Sequence, residues 1–85
     1  MQSTFDVNQK RLVFKLANET KDLMNQCDID KMYKCLMTLS DRQVMRQGTN
    51  ESLVQSKQQM IEICEALERD NLLMYAAEDN RVILL

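Results

Sequence analysis

The side chains that could do chemistry are few in this sequence and poorly placed for it. Cys27, Cys35 and Cys64 are its three cysteines, and it has no histidine. No C-x-x-C spacing is present, so a zinc site would need three thiolates and a carboxylate, outside the usual ligand sets. The cysteines read instead as buried free thiols of a reducing compartment, cytosol or nucleus. Without histidine there is no Ser-His-Asp or Cys-His relay. A single glycine leaves no phosphate-cradling loop. Two carboxylate pairs remain. Asp28 and Asp30 stand where a helix begins and read as caps. Glu62 and Glu65 fall on a solvated helix face. Eighty-five residues leave little room for the cleft that a catalytic acid pair requires. The expectation is therefore no catalytic residue, no metal, no cofactor and no small-molecule substrate.

Composition points to a small globular domain. The chain is 45% apolar and 28% charged, with a formal net charge of -2. That is the balance of one globular domain rather than a disordered tail. A domain built to grip DNA by itself carries a basic excess, and this one does not. Seven methionines fill irregular core gaps and suit adaptable interfaces. No apolar run reaches the ~20 residues of a membrane span. The start, Met1-Gln2-Ser3-Thr4-Phe5, lacks the basic and apolar regions of a signal peptide. With no proline, no linker and no internal repeat, the chain reads as a single domain excised from a larger protein.

The elements that must position any binding residues follow from periodicity. A first helix is predicted over residues 8–26, with Leu12, Val13, Leu16, Thr20, Leu23, Met24 and Cys27 on one face. Asp6 or Asn8 would cap it. A second helix starts at Asp28 or Asp30 and buries Ile29, Met32, Tyr33, Leu36, Met37 and Leu39. Ser40-Asp41-Arg42-Gln43 has the form of a capping box, with Val44 and Met45 buried after it. Residues 46–50 hold the lone Gly48 and form a loop. Ser52-Leu53-Val54-Gln55 suits either the start of the third helix or a short first strand. Ser56-Lys57-Gln58-Gln59 is a second capping box, followed by the stripe Met60, Ile63, Cys64 and Leu67. Asp70-Asn71 ends that helix, because Asn tolerates a left-handed cap. Leu72-Leu73-Met74-Tyr75-Ala76-Ala77 and Val82-Ile83-Leu84-Leu85 then form a hairpin around Asp79-Asn80. The predicted core is Leu16, Leu23, Met32, Leu36, Leu39, Met60, Ile63 and Leu67. The order fits a mainly α fold with a small β-hairpin, a winged helix-turn-helix.

In such a fold the third helix is the one that enters a DNA groove. Here its outward residues are Gln58, Gln59, Glu62, Glu65, Glu68 and Arg69. Gln58 and Gln59 suit adenine edges and Lys57 suits a phosphate. Glu62, Glu65 and Glu68 repel one. Glu62, Glu65, Glu68, Arg69 and Asp70 therefore stand as candidates for docking a protein. Lys10, Arg11, Lys15, Lys57 and Arg81 are the candidates for weak, non-specific contact with a DNA backbone. Lys31, Lys34, Arg42 and Arg46 are further cations, mixed with acidic neighbours.

The tail also carries a resemblance. Ile61-Glu62-Ile63-Cys64-Glu65-Ala66-Leu67-Glu68-Arg69-Asp70-Asn71-Leu72-Leu73-Met74-Tyr75, followed by Arg81-Val82-Ile83-Leu84-Leu85, resembles the C-terminus of minichromosome-maintenance helicase subunits. The branch of the third subunit of the eukaryotic hexamer is the nearest. Arg11-Leu12-Val13-Phe14-Lys15 is similar to the first helix of that domain. Origin-recognition and loader ATPases end in comparable domains. The likeness covers about half of the chain, and residues 40–55 are longer than the family pattern. It implies a non-catalytic, nuclear winged-helix module beside an AAA+ motor. The implied partners are licensing and loading proteins or sister subunits of the hexamer, with no membrane. Two alternatives stand beside this reading: a transcription-type DNA-binding winged helix and an all-helical adaptor.

Overall fold

The computed structural model describes residues 5–85. The start Met1-Gln2-Ser3-Thr4, on which the signal-peptide expectation rests, lies outside the described residues. The Asp6 carboxylate accepts the Gln9 backbone N–H at 2.9 Å, and Gln9 Oε1 accepts the Asp6 N–H at 3.1 Å. This reciprocal box begins α1, Val7–Thr20. It settles the cap as Asp6 rather than Asn8. The Gln9 N–H, helped by the Arg46 guanidinium, holds the Asp6 carboxyl below its ordinary value. The buried Gln9 amide also donates to the Leu53 carbonyl at 2.9 Å. That bond fastens a distant loop to the first turn of α1.

α1 ends at Thr20, short of the predicted 26. Asp22 Oδ1 accepts the backbone N–H groups of Met24 and Gln26 at 2.8 and 3.0 Å, and Asn25 adopts a positive φ of 61°. A short acceptor bonding its own backbone competes with the helical ladder, and here it wins. The expectation that Leu23 and Met24 face the core is therefore corrected: both are exposed in the turn. Cys27 is buried as predicted, but from a strand, β1, Gln26–Asp28. Its thiol donates to the Ala17 carbonyl at 2.9 Å.

α2, Ile29–Thr38, is capped by Asp28, whose carboxylate accepts the N–H groups of Asp30 and Lys31. Ile29, Met32 and Leu36 are buried, Tyr33 and Leu39 are half-buried, and Met37 is exposed. The apolar side is narrower than expected, and Leu39 sits at the edge of the core. The first predicted box opens a one-turn helix, α3, Asp41–Val44, where Gln43 Oε1 accepts from the Ser40 N–H. Val44 and Met45 are half-buried rather than buried. The following loop turns at Gly48, φ 79°, and closes on an antiparallel bridge between Met45 and Ser52. The segment 52–55 is thus neither a helix start nor a strand of the sheet. It delivers Leu53 and Val54 to the core.

α4, Lys57–Arg69, begins at Ser56, whose hydroxyl accepts the Gln59 N–H at 3.0 Å. The predicted box is only half formed, because Gln59 Oε1 accepts from the Gln55 N–H and not from that of Ser56. Met60, Ile63, Cys64 and Leu67 are buried as the stripe requires. Asn71, at φ 64°, ends the helix. β2, Leu73–Ala76, and β3, Arg81–Leu84, flank a 3-10 turn at Ala77–Asp79, with Asn80 at φ 54°. The strand character of this segment removes the all-helical alternative. The sheet holds three antiparallel strands, not two. Its order is β1-β3-β2, with Cys27 opposite Val82 and Val82 opposite Tyr75.

The fold is mainly helical with a small antiparallel sheet on one side. One core joins Leu12, Val13 and Leu16 of α1 to Ile29, Met32, Ile63, Leu67, Leu73 and Val82. Each fully buried aliphatic side chain contributes about 1.5–3 kcal/mol relative to exposure. Among the described residues no helix is long and apolar enough to cross a membrane.

Candidate interaction surfaces

The outward side of α4 is acidic. Glu62, Glu65, Glu68, Arg69 and Asp70 are all exposed. Their positions follow from the buried stripe, which forces the remaining positions of the helix toward solvent. Glu68 accepts the Tyr75 backbone N–H at 3.3 Å, so the acidic helix face and the hairpin are physically joined. Asp70 is drawn off this patch, because it pairs with Lys10 of α1 at 2.9 Å. The hairpin adds Glu78 and Asp79 at its tip, both exposed. On its outward side Met74 stands opposite Ile83 in register. Met74 is half exposed. Arg81 is the hairpin's single cation, and its guanidinium donates to Gln26 Oε1 at 3.0 Å.

The predicted DNA contacts divide in two. Lys10, Lys57 and Arg81 are engaged within the fold. Lys57 Nζ pairs with Asp30, whose carboxyl is held below its ordinary value mainly by that ammonium. Gln59, read as a base contact, has its carbonyl turned to the Gln55 backbone. Arg11 and Lys15 instead project from α1 into a cleft of about 290 Å³. Arg42 and Arg46 enter the same cleft from α3 and its loop. Both arginines are recognisable as cations in the sequence, but not as neighbours of Arg11 and Lys15. No periodicity marks Arg42 and Arg46 as sharing a side, because Arg46 lies past the end of α3.

The three cysteines are free thiols. Cys27 and Cys64 are buried and Cys35 is half-buried, which corrects the expectation that all three are inside. Burial pushes the Cys64 thiol up to about 12 and the Cys27 thiol upward, so both stay protonated at neutral pH. Among the described residues no group of three potential ligands could hold a metal ion. Family models, curated proteins and solved structures give no match to this chain.

Proposed function

We propose that this chain is a winged-helix module that docks protein and makes at most weak, non-specific contact with DNA. The order α1-β1-α2-α3-α4-β2-β3 and the sheet order β1-β3-β2 support the winged-helix reading. In that arrangement α4 holds the recognition position and the hairpin is the wing. The observation that carries the functional reading is the charge on α4. Glu62, Glu65 and Glu68 line the side a DNA groove would meet, while Lys57 is held by Asp30. Each carboxylate adds repulsion toward a polyanion. The wing supplies Glu78, Asp79 and Met74 where a DNA-binding wing supplies cations. The C-terminal resemblance makes a replicative helicase of the minichromosome-maintenance type the natural parent. Nuclear loading factors or sister subunits are then the partners.

In about 150 mM salt the domain is expected to bind duplex DNA no more tightly than the 10⁻⁶–10⁻⁴ M typical of non-specific binding, without sequence preference. Fluorescence anisotropy with two unrelated duplexes checks this. Nanomolar, sequence-selective binding would overturn the proposal. A second expectation concerns the acidic face. Glu62→Lys/Glu65→Lys should slow association with a basic partner, while thermal stability hardly changes because the replaced charges are exposed. Capture from replication-competent extract, wild type against double mutant, is the measurement. Equal recovery of the same partners places docking away from α4.

A further inference from the structure

Two adjacent hollows flank α1, and they differ in chemistry. Asn8, Arg11, Leu12 and Lys15, at i, i+3, i+4 and i+7, line the first, together with Arg42 and Arg46. Val7, Lys10, Arg11 and Phe14 repeat the same spacing one step around the helix. With Leu67 and Leu72 they line a mainly apolar groove of about 380 Å³. Arg11 belongs to both linings and forms the ridge between them.

We propose that these hollows form one docking site for an acidic peptide segment of a partner protein, with an apolar anchor residue inside that segment. The anchor fills the groove over Val7, Phe14, Leu67 and Leu72. The flanking carboxylates meet Arg11, Lys15 and Arg42, while Arg46, paired with Asp6, forms the cleft wall.

Charge complementarity selects this occupant. The chain has 11 basic and 13 acidic residues, yet four of the basic ones line one small cleft whose lining contains no carboxylate. Among the described residues Arg11, Lys15 and Arg42 make no ion pair. Arg46 is held by Asp6, which positions its guanidinium at the cleft wall. Asp41 lies in the adjoining hollow. Arginine forks match carboxylates in bidentate geometry and are less strongly hydrated than ammonium groups. The groove leaves Val7 62% and Leu72 43% exposed, apolar area that one large side chain can cover. Asp70, the one carboxylate on its rim, is neutralised by Lys10. Nucleic acid fits less well. No aromatic side chain lines the cleft to stack an unpaired base, and the mainly apolar groove beside it gives a phosphate backbone little to bind. The site is distinct from the outward acidic face of α4, so either can fail without the other.

The test uses the chain as it stands and a short synthetic peptide of Asp and Glu residues around a central Leu-Phe pair. Controls are the same peptide with Asn and Gln for Asp and Glu, the peptide with Ala-Ala at its centre, and single- and double-stranded DNA oligomers. Titration is followed by ¹H–¹⁵N NMR. The expected result is saturable binding of the acidic peptide, with shifts at Val7, Arg11, Lys15, Arg42 and Leu72. Affinity should fall about tenfold or more in Arg11→Glu and in Arg42→Glu, and also on loss of the central pair. Both arginines are exposed, and unchanged amide spectra away from the cleft verify that the variants fold. Equal binding of the Asn/Gln peptide would overturn the proposal. So would tighter binding of DNA through the same cations, shifts confined to α4, or no saturable binding.

Discussion

Replacing Leu16 by alanine should lower the unfolding free energy by about 2–5 kcal/mol, while the same replacement at Leu23 should leave it within about 0.5 kcal/mol. Both leucines belong to the stripe that periodicity assigns to one helix face. Leu16 is completely buried between α1 and the rest of the core. Its truncation removes apolar transfer energy and leaves a void that close-packed neighbours refill only in part. Leu23 projects from the Asp22–Gln26 turn into solvent. Urea unfolding of the two variants against wild type decides the matter. A domain of this size has roughly 5–15 kcal/mol in total, so the Leu16 variant should melt conspicuously early. Equal losses at both positions would mean that α1 continues through Leu23 and that β1 is misplaced.

Alkaline pH should destabilise the fold through Cys64. Its thiol is pushed up to about 12 by burial, with the neighbouring Cys27 adding to the shift. In the unfolded chain the same thiol ionises near the ordinary value of about 8.5. Below that pH both states keep the proton and the contribution is fully present. As pH rises from there toward 12, the unfolded state releases a proton that the native state retains. Stability then falls by up to about 1.4 kcal/mol per pH unit from this group. Urea midpoints at several pH values between about 7 and 10.5, wild type against Cys64→Ala, isolate the effect as a difference in slope. The alanine variant is weaker at neutral pH but should lose less on titration. Burial keeps native Cys64 in its protonated, unreactive form at pH 8. Iodoacetamide should therefore label half-buried Cys35 first and reach Cys64 only after unfolding. Labelling of Cys64 in the native protein at the denatured rate would show that the thiol is not enclosed.

These two tests probe what was and was not legible in the chain. Elements announced by contiguous residues were readable. The Ser56 cap, the Met60–Ile63–Cys64–Leu67 stripe, the Asn71 cap and the hairpin each rest on signals within a few positions. β1 was not, because three residues carry no measurable period, and their strand character comes from pairing with Val82 far along the chain. The apolar spacing of Leu16, Leu23 and Cys27 concealed the break. Only Asp22 and Asn25, residues with turn chemistry, marked it. The acidic face of α4 followed directly from the helix period. The basic cleft did not, because Arg42 and Arg46 come beside Arg11 and Lys15 through two long-range links. These are the Gln9 amide on Leu53 and the Arg46 guanidinium on Asp6.

The bond between Glu68 and the Tyr75 backbone has a consequence for assembly. β2 lies at the rim of the sheet, where unpaired peptide groups invite a foreign strand to zip alongside. By occupying the Tyr75 N–H with a carboxylate, Glu68 removes a donor that an incoming strand needs and places negative charge where a foreign carbonyl would approach. Templated growth of one molecule on the next is thereby discouraged along this border. A partner that engages this side must recognise side chains, and cannot extend the sheet by peptide–peptide pairing without first displacing Glu68.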